Sequence, residues 1–136
     1  MTKSGKRRTR RSPNATGRND KDGQYLSIPY SMARSLAWRS LSGKAVKVWI
    51  EIRSRFNGFN NGDLRLSMDE GALLLGMSKS TVQRAFMELE EKGFLELTER
   101  GFFYGRMATR YSVTDQKLNG QNATRAWQLW RPSRKP

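Results

Sequence analysis

The chain has 136 residues, with 26 Lys or Arg against 12 Asp or Glu, and it contains no His and no Cys. This length suits one domain. The missing Cys and His exclude disulfides, thiolate nucleophiles, the commonest metal ligands and the commonest general base. The formal net charge of +14 favours a polyanionic partner, and we expect binding without a metal or cofactor.

Most of the excess positive charge lies at the two ends of the chain. Residues 1–24 carry a net charge of +6 and residues 114–136 carry +4, so only +4 remains for residues 25–113. The first segment has too few apolar side chains to offset its ordering entropy, which predicts a disordered basic arm. Such an arm either follows DNA phosphates or a minor groove, or is only a solubilising tail. The arm residues assigned to DNA binding are Lys6, Arg7, Arg8, Arg10 and Arg11.

Two helices are predicted in the first part of the folded segment. Apolar spacing indicates a short helix over residues 30–38, and Ser42 is typical of the N-cap of a second helix. This second helix, residues 43–56, is apolar over more than half of its circumference and is expected to be the central helix of the core. The side chains predicted to face inward are Met32, Ala33, Leu36, Ala45, Trp49, Ile52 and Phe56.

A second pair of helices follows, with a tight turn between them. Ser67 and Glu70 fit a capping box that opens the first helix of the pair. Gly76 breaks that helix, and Ser78 caps the next one, which is predicted to run over residues 78–92. A close crossing needs a small residue on the first helix and a branched apolar residue on the second. We assign these positions to Ala72 and Val82.

Three short segments alternate as strands do, at residues 64–66, 94–98 and 109–114. The last two flank a predicted hairpin loop at residues 101–105. The resulting order is helix, helix, strand, helix, turn, helix, strand, loop, strand. This order predicts an α+β, mainly helical fold, a winged helix-turn-helix domain over residues 25–114 with a C-terminal β-hairpin wing.

The outer face of the second helix of the pair combines short polar and basic side chains. Such side chains suit phosphates and base edges in a major groove, whereas a helical hairpin with a merely solvated face is the alternative. Glu88, Glu90 and Glu91 near the end of the helix are expected to be solvated. The residues assigned to DNA binding on this helix are Ser78, Lys79, Ser80, Thr81, Gln83, Arg84 and Met87.

The predicted wing, residues 99–108, contains arginines and aromatic side chains. Arg100, Arg106 and Arg110 are assigned to neighbouring phosphates or the minor groove. The alternative is that these arginines are only solvated, while the aromatic side chains close a small core or contact a protein partner. The aromatic residues are Phe102, Phe103 and Tyr104.

A basic extension, residues 115–136, follows the predicted domain. Trp127 and Trp130 are spaced like one face of a helical turn. We expect them to pack this segment back onto the domain. A homodimer contact, or another protein contact, is the alternative.

The sequence resembles winged-helix proteins of bacterial phages, plasmids and integrative elements, and is most similar to the amino-terminal DNA-binding domains of plasmid replication initiators and phage replication proteins. The resemblance covers residues 25–114. It rests on residues 66–70 (Leu-Ser-Met-Asp-Glu), 75–82 (Leu-Gly-Met-Ser-Lys-Ser-Thr-Val) and 88–94 (Glu-Leu-Glu-Glu-Lys-Gly-Phe). It implies binding of double-stranded DNA through the second helix of the pair and the wing.

We therefore expect a sequence-specific DNA-binding protein of a bacterial mobile element, either a transcription regulator or a replication-associated factor. The alternative is a non-enzymatic adaptor that uses the same scaffold to bind a protein. An enzyme is not expected, because the sequence lacks His, Cys and a spaced acidic cluster for Mg²⁺. No apolar run reaches the ~18 residues of a membrane helix and no secretion signal is apparent, so the expected location is the cytoplasm, on the nucleoid.

Overall fold

The computed structural model describes residues 23–101 and 109–133, and within these ranges the chain has an α+β fold. None of the helices described is long and apolar enough to cross a membrane. The elements in chain order are α1 (Tyr30–Ala33), α2 (Leu36–Arg39), α3 (Gly43–Arg53), β1 (Leu64–Arg65), α4 (Met68–Leu75), α5 (Lys79–Glu91), β2 (Leu95–Glu99), β3 (Arg110–Val113) and a 3-10 helix (Ala126–Leu129).

The three strands form one antiparallel sheet in the order β1-β3-β2. Tyr111 of β3 pairs with Leu64 of β1 and with Leu97 of β2, and the register shifts between Leu97 and Glu99. The predicted antiparallel pairing of the last two strands is confirmed. The predicted loop between them lies outside the described residues, except for Gly101.

The helix α3 is the central helix of the core, as predicted. The Ser42 hydroxyl accepts a hydrogen bond from the Ala45 backbone N–H at 3.1 Å, which confirms Ser42 as the N-cap. Trp49 is fully buried, and its indole meets the Trp38 indole edge-on with 5.1 Å between ring centroids. The helix ends at Arg53, so the predicted end at Phe56 is wrong, although Phe56 remains buried as predicted.

The prediction of a single helix over residues 30–38 is wrong. The chain forms α1 and α2 instead, because Ser35 lies between them in an extended conformation. Its hydroxyl donates to the Met32 carbonyl at 2.6 Å and accepts from the Trp38 N–H at 3.1 Å, so it ends one helix and caps the next. This break turns Leu36 outward, where 55% of it is exposed, whereas Met32 is buried as predicted.

The helices α4 and α5 meet at the predicted turn. Gly76 ends α4 at φ 65°, a left-handed conformation that favours glycine, and the Ser78 hydroxyl caps α5. The Ser67 hydroxyl accepts from the Glu70 N–H, as a capping box requires. The Glu70 carboxylate instead accepts from the Arg55 guanidinium at 2.7 Å, which connects the start of α4 to the segment after α3.

The close crossing of α4 and α5 occurs at Gly71, so the assignment of this position to Ala72 is wrong. A Cβ on Gly71 would lie 3.0 Å from one methyl of Val82 and 3.4 Å from the other. Val82 is fully buried, as predicted, whereas Ala72 is only partly buried. The helices cross one residue earlier than expected because the missing side chain of Gly71 leaves room for Val82.

The segment after β3 packs into the core through Trp127. This side chain is 2% exposed, and its ring stacks on Phe94 with 5.8 Å between centroids. The backbone of Ala126 approaches Gly93 so closely that a Cβ there would lie 2.6 Å from the Ala126 carbonyl carbon. Gly93, two residues after the end of α5, also has φ +84°, a conformation that favours glycine, and its missing side chain leaves space for the tail. The expected packing of the tail is confirmed for Trp127.

A buried ion pair joins the same segment to α3. The Arg53 Nε donates to Asp115 Oδ2 at 3.0 Å, and both side chains are about 95% buried, with 5% and 4% exposed. Removing one member of such a pair leaves an uncompensated buried charge.

Candidate nucleic-acid interface

The helix α5 has one buried face and one exposed face. Its inward face packs through Val82, Ala85, Phe86 and Leu89, which are at most 3% exposed. The residues of α5 and its cap that were assigned to DNA binding and are exposed are Ser78, Lys79, Ser80, Gln83, Arg84 and Met87.

Thr81 does not belong to the exposed face, contrary to the prediction. It is only 9% exposed. Its hydroxyl lies 2.8 Å from the Ser78 hydroxyl and 3.4 Å from a terminal nitrogen of Arg84. Thr81 therefore steadies the first turn of α5, since its side chain points toward the protein rather than toward solvent.

The two basic side chains of the exposed face differ in their partners. Lys79 forms an ion pair with Asp69 at the start of α4, and both side chains are exposed. Arg84 is exposed and has no carboxylate partner among the described residues. One terminal nitrogen of Arg84 donates to the Thr81 hydroxyl at 3.4 Å, and its other donors are available for phosphates or base edges.

A cleft beside Arg84 contains a lysine that the sequence analysis did not single out. This open cleft of about 270 Å³ runs between the start of α3 and the middle of α5. Lys44, which is exposed, lines it from the α3 side. The sequence contains one indication of this site, because Lys44 and Lys47 are three residues apart on the polar side of α3. The apolar pattern of the same helix predicts only a role in the core. The residues that line the cleft are Ser42, Lys44, Thr81, Arg84, Ala85 and Glu88.

Glu88 is not simply solvated, contrary to the prediction. Its carboxylate accepts from the backbone N–H of Ser42 at 3.1 Å, from the Ser42 hydroxyl at 2.8 Å and from Lys92 at 3.1 Å. Burial by itself raises the pKa of this carboxyl, but the hydrogen bonds from Ser42 and Lys92 outweigh it and hold the pKa below its usual value. Glu88 therefore anchors the start of α3 to α5.

Glu90 contributes to a second connection, from α5 to the sheet. The Tyr111 ring of β3 stacks on Phe86 with 4.8 Å between centroids. Burial raises the pKa of the Tyr111 hydroxyl, and the nearby Glu90 carboxylate raises it further. The phenol therefore stays protonated and can donate to Glu90, which holds α5 against the central strand.

The three predicted wing arginines have different surroundings. Arg100 is exposed at the end of β2, and Arg106 lies outside the described residues. Arg110 is half-buried and pairs with Asp63 at 3.3 Å and with Glu99 at 3.2 Å. These two carboxylates neutralise its charge and hold it at the base of the hairpin, so Arg100 is the better placed of the two for a phosphate.

The residues predicted to contact a protein partner also differ in how accessible they are. Trp127 is buried in the core and is not available to a partner. Trp130 is half-buried, with the Lys92 ammonium 5.2 Å from its ring centroid. The aromatic residues Phe102, Phe103 and Tyr104 lie outside the described residues, as do the arm residues Lys6, Arg7, Arg8, Arg10 and Arg11.

In the part of the chain that the structure describes, no group of three or more Asp or Glu side chains is arranged to hold a metal ion. Comparison of the chain with models of protein families, with curated proteins and with solved structures found no match.

Proposed function

We propose that the protein is a sequence-specific binder of double-stranded DNA with a winged-helix fold. The observation that carries this proposal is the exposed face of α5. Its first two turns present hydroxyl, amide and cationic side chains, while its opposite face is buried against the core. A helix with one face packed in the core and such side chains at its amino-terminal end suits entry into a major groove.

The arrangement around α5 supports the winged-helix assignment. Gly76 separates α4 from α5, α3 packs across both, and the β2–β3 hairpin follows α5 in sequence. In this interpretation α5 reads base edges, while Arg100 approaches the neighbouring backbone. The basic arm adds attraction that depends on salt but not on sequence.

The proposed biological role is regulation of transcription or assistance in replication for a bacterial mobile element, without catalysis. Both roles require the same physical activity, which is selection of one duplex sequence among many. The residues proposed to select it are Gln83 and Arg84, because amide and guanidinium groups make paired hydrogen bonds to adenine and guanine edges.

Selection of binding sites from random duplex DNA tests this proposal with the full chain. We expect enrichment of a short motif, and a footprint that the Gln83→Ala and Arg84→Ala variants no longer protect at the same positions. A palindromic motif would indicate a dimer on the DNA. Absence of any enriched sequence would contradict the proposal.

A protein-binding adaptor is the second candidate, and one observation on α4 favours it. Leu73 and Leu74 are 83% and 55% exposed. Two large apolar side chains side by side on an outer surface are typical of a contact surface. If no DNA sequence is enriched and a Leu73→Ser, Leu74→Ser variant loses binding to a cellular protein, the adaptor interpretation replaces the first.

A further inference from the structure

The cleft between α3 and α5 contains a cation from each helix. Lys44 contributes one wall, and Arg84 contributes the other. We infer that Lys44 binds a backbone phosphate of the duplex next to the groove that α5 enters. This inference rests on the proposed function, and it adds a contact from an element outside the helix pair and the wing.

The absence of a carboxylate partner distinguishes Lys44 from two other lysines close to α5. Lys79 is paired with Asp69, and Lys92 is paired with Glu88. Lys44 has no carboxylate partner among the described residues, and its side chain is exposed. A lysine already held by a carboxylate must exchange that partner for a phosphate, whereas Lys44 need only release its counterion.

Glu88 is the one acid that lines the cleft, and its charge is already compensated. One of its carboxylate oxygens accepts from the Ser42 N–H and from Lys92, and the other accepts from the Ser42 hydroxyl. These bonds direct the carboxylate toward Ser42 and Lys92. A phosphate beside Lys44 therefore meets a neutralised acid rather than a free negative charge.

Lys44 lies beside α5, where the general dimensions of a helix and of the major groove bring phosphates close. An α-helix with its side chains is about 10–12 Å across, and the major groove is about 12 Å wide. A helix in the groove therefore brings its immediate flanks against the phosphates at the groove edge. Lys44 lies on such a flank because the cleft that it lines extends along α5 from Thr81 to Glu88.

The test compares Lys44→Gln with Lys117→Gln in the full chain. Both lysines are exposed, and both changes remove one positive charge. Lys117 lies in the segment after β3, where its carbonyl oxygen accepts from Asn61 Nδ2 at 3.0 Å, and it does not line the cleft between α3 and α5. The probe is a mixed-sequence duplex of roughly 20 base pairs, about two helical turns.

Binding is measured by fluorescence anisotropy over a series of salt concentrations. For Lys44→Gln we expect affinity to fall about fivefold to tenfold at 0.1 M salt and the slope of log affinity against log salt to become shallower by about 0.9, the value for one phosphate contact. The reduction should be the same on a selected sequence. Thermal melting should be unchanged, because Lys44 is exposed.

Three results would overturn the inference, and they are distinguishable. If the unaltered chain binds duplex DNA and the Lys44→Gln variant shows the same affinity and the same salt slope as the unaltered chain, the inference fails while the proposed function stands. If Lys117→Gln changes both quantities as much as Lys44→Gln does, only total charge matters and the inference fails. If the unaltered chain binds no duplex, the proposed function fails together with the inference.

Discussion

Gly71 of α4 and Val82 of α5 are in such close contact that a Cβ on Gly71 would lie 3.0 Å from a Val82 methyl carbon. Val82 is fully buried and β-branched, so its side chain has little freedom to move aside. This contact sets how closely the two helices approach and therefore how α5 is oriented.

Gly71→Val should destabilise the fold by about 3 kcal/mol, because added methyl groups overpack a site that has no space for them. Gly43→Val is the matched control, since nothing lies within 4 Å of a Cβ at Gly43. Urea denaturation measures both. Val82→Ala should recover part of the loss in the Gly71→Val background. A double-mutant cycle that shows no coupling would contradict the contact.

Trp127→Ala should cost about 3–5 kcal/mol in the free energy of unfolding, the range for removing a buried aromatic side chain. The reason is the stacking of Trp127 on Phe94 and its 2% exposure. Leu129→Ala is the control, because Leu129 is 85% exposed and the change should stay within about 0.5 kcal/mol. Equal melting temperatures for the two variants would show that the tail does not belong to the core.

Glu88→Gln should lower stability at pH 7 by about 1 kcal/mol, after allowance for the solvent that reaches this carboxylate. The folded-state pKa lies below the ordinary value of 4.5, so the charged form is stabilised above that value. The contribution is lost as pH falls through the folded pKa. The difference between variant and unaltered chain should therefore shrink as pH falls below the ordinary pKa of a glutamate and on through the lowered folded-state pKa.

Thermal melts at several pH values between 3 and 7, chosen to span the usual range for a glutamate, check this prediction. Glu91→Gln is the control, because the Glu91 side chain is exposed. A destabilisation by Glu88→Gln that is equally large at both ends of the range would mean that the charge of Glu88 does not matter.

Gln83→Ala and Arg84→Ala should each weaken binding to a selected duplex by about 1–3 kcal/mol, the usual value of a paired hydrogen bond to a base. Binding to mixed-sequence DNA should fall much less. Gln128→Ala is the control, since Gln128 lies in the 3-10 helix and outside the proposed interface. Equal losses on the two duplexes would argue against base reading by α5.

Removal of the basic arm, residues 1–24, should flatten the salt dependence of binding and leave the preference for one sequence in place. Each arm base that neutralises a phosphate contributes about 0.9 to the slope of log affinity against log salt. The salt slope is measured with the same series of salt concentrations, and the sequence preference is measured by comparing the selected duplex with the mixed-sequence duplex. An unaltered slope would assign these residues a solubilising role only.

Local signals in the sequence were sufficient for the helix boundaries around the proposed interface. Ser42, Ser67 and Ser78 each cap the helix that was predicted to begin after them, and Gly76 ends α4. A cap is a hydrogen bond between residues three positions apart, so both partners are visible in a short stretch of sequence. Ser35 is the exception. The apolar spacing on both sides of it predicts one continuous helix, although Ser35 caps a new helix in the structure.

Contacts between distant residues could not be predicted in this way. The Glu88 carboxylate binds Ser42, 46 residues away, whereas the local sequence around Glu88 predicts a solvated acid. Arg110 is predicted to contact DNA, but its partners include Asp63, which lies far away in the sequence, as well as Glu99. Lys44 was overlooked because its position beside α5 depends on how two helices pack.

The sequence by itself determined where α3, α4 and α5 begin, the turn at Gly76 and most of the exposed polar face of α5, because helical periodicity and caps are properties of neighbouring residues. The tertiary structure alone decided that Gly71 sets the helix crossing, that Trp127 completes the core and which cations have carboxylate partners. These features depend on distances between side chains far apart in the chain, and only packing brings such side chains together.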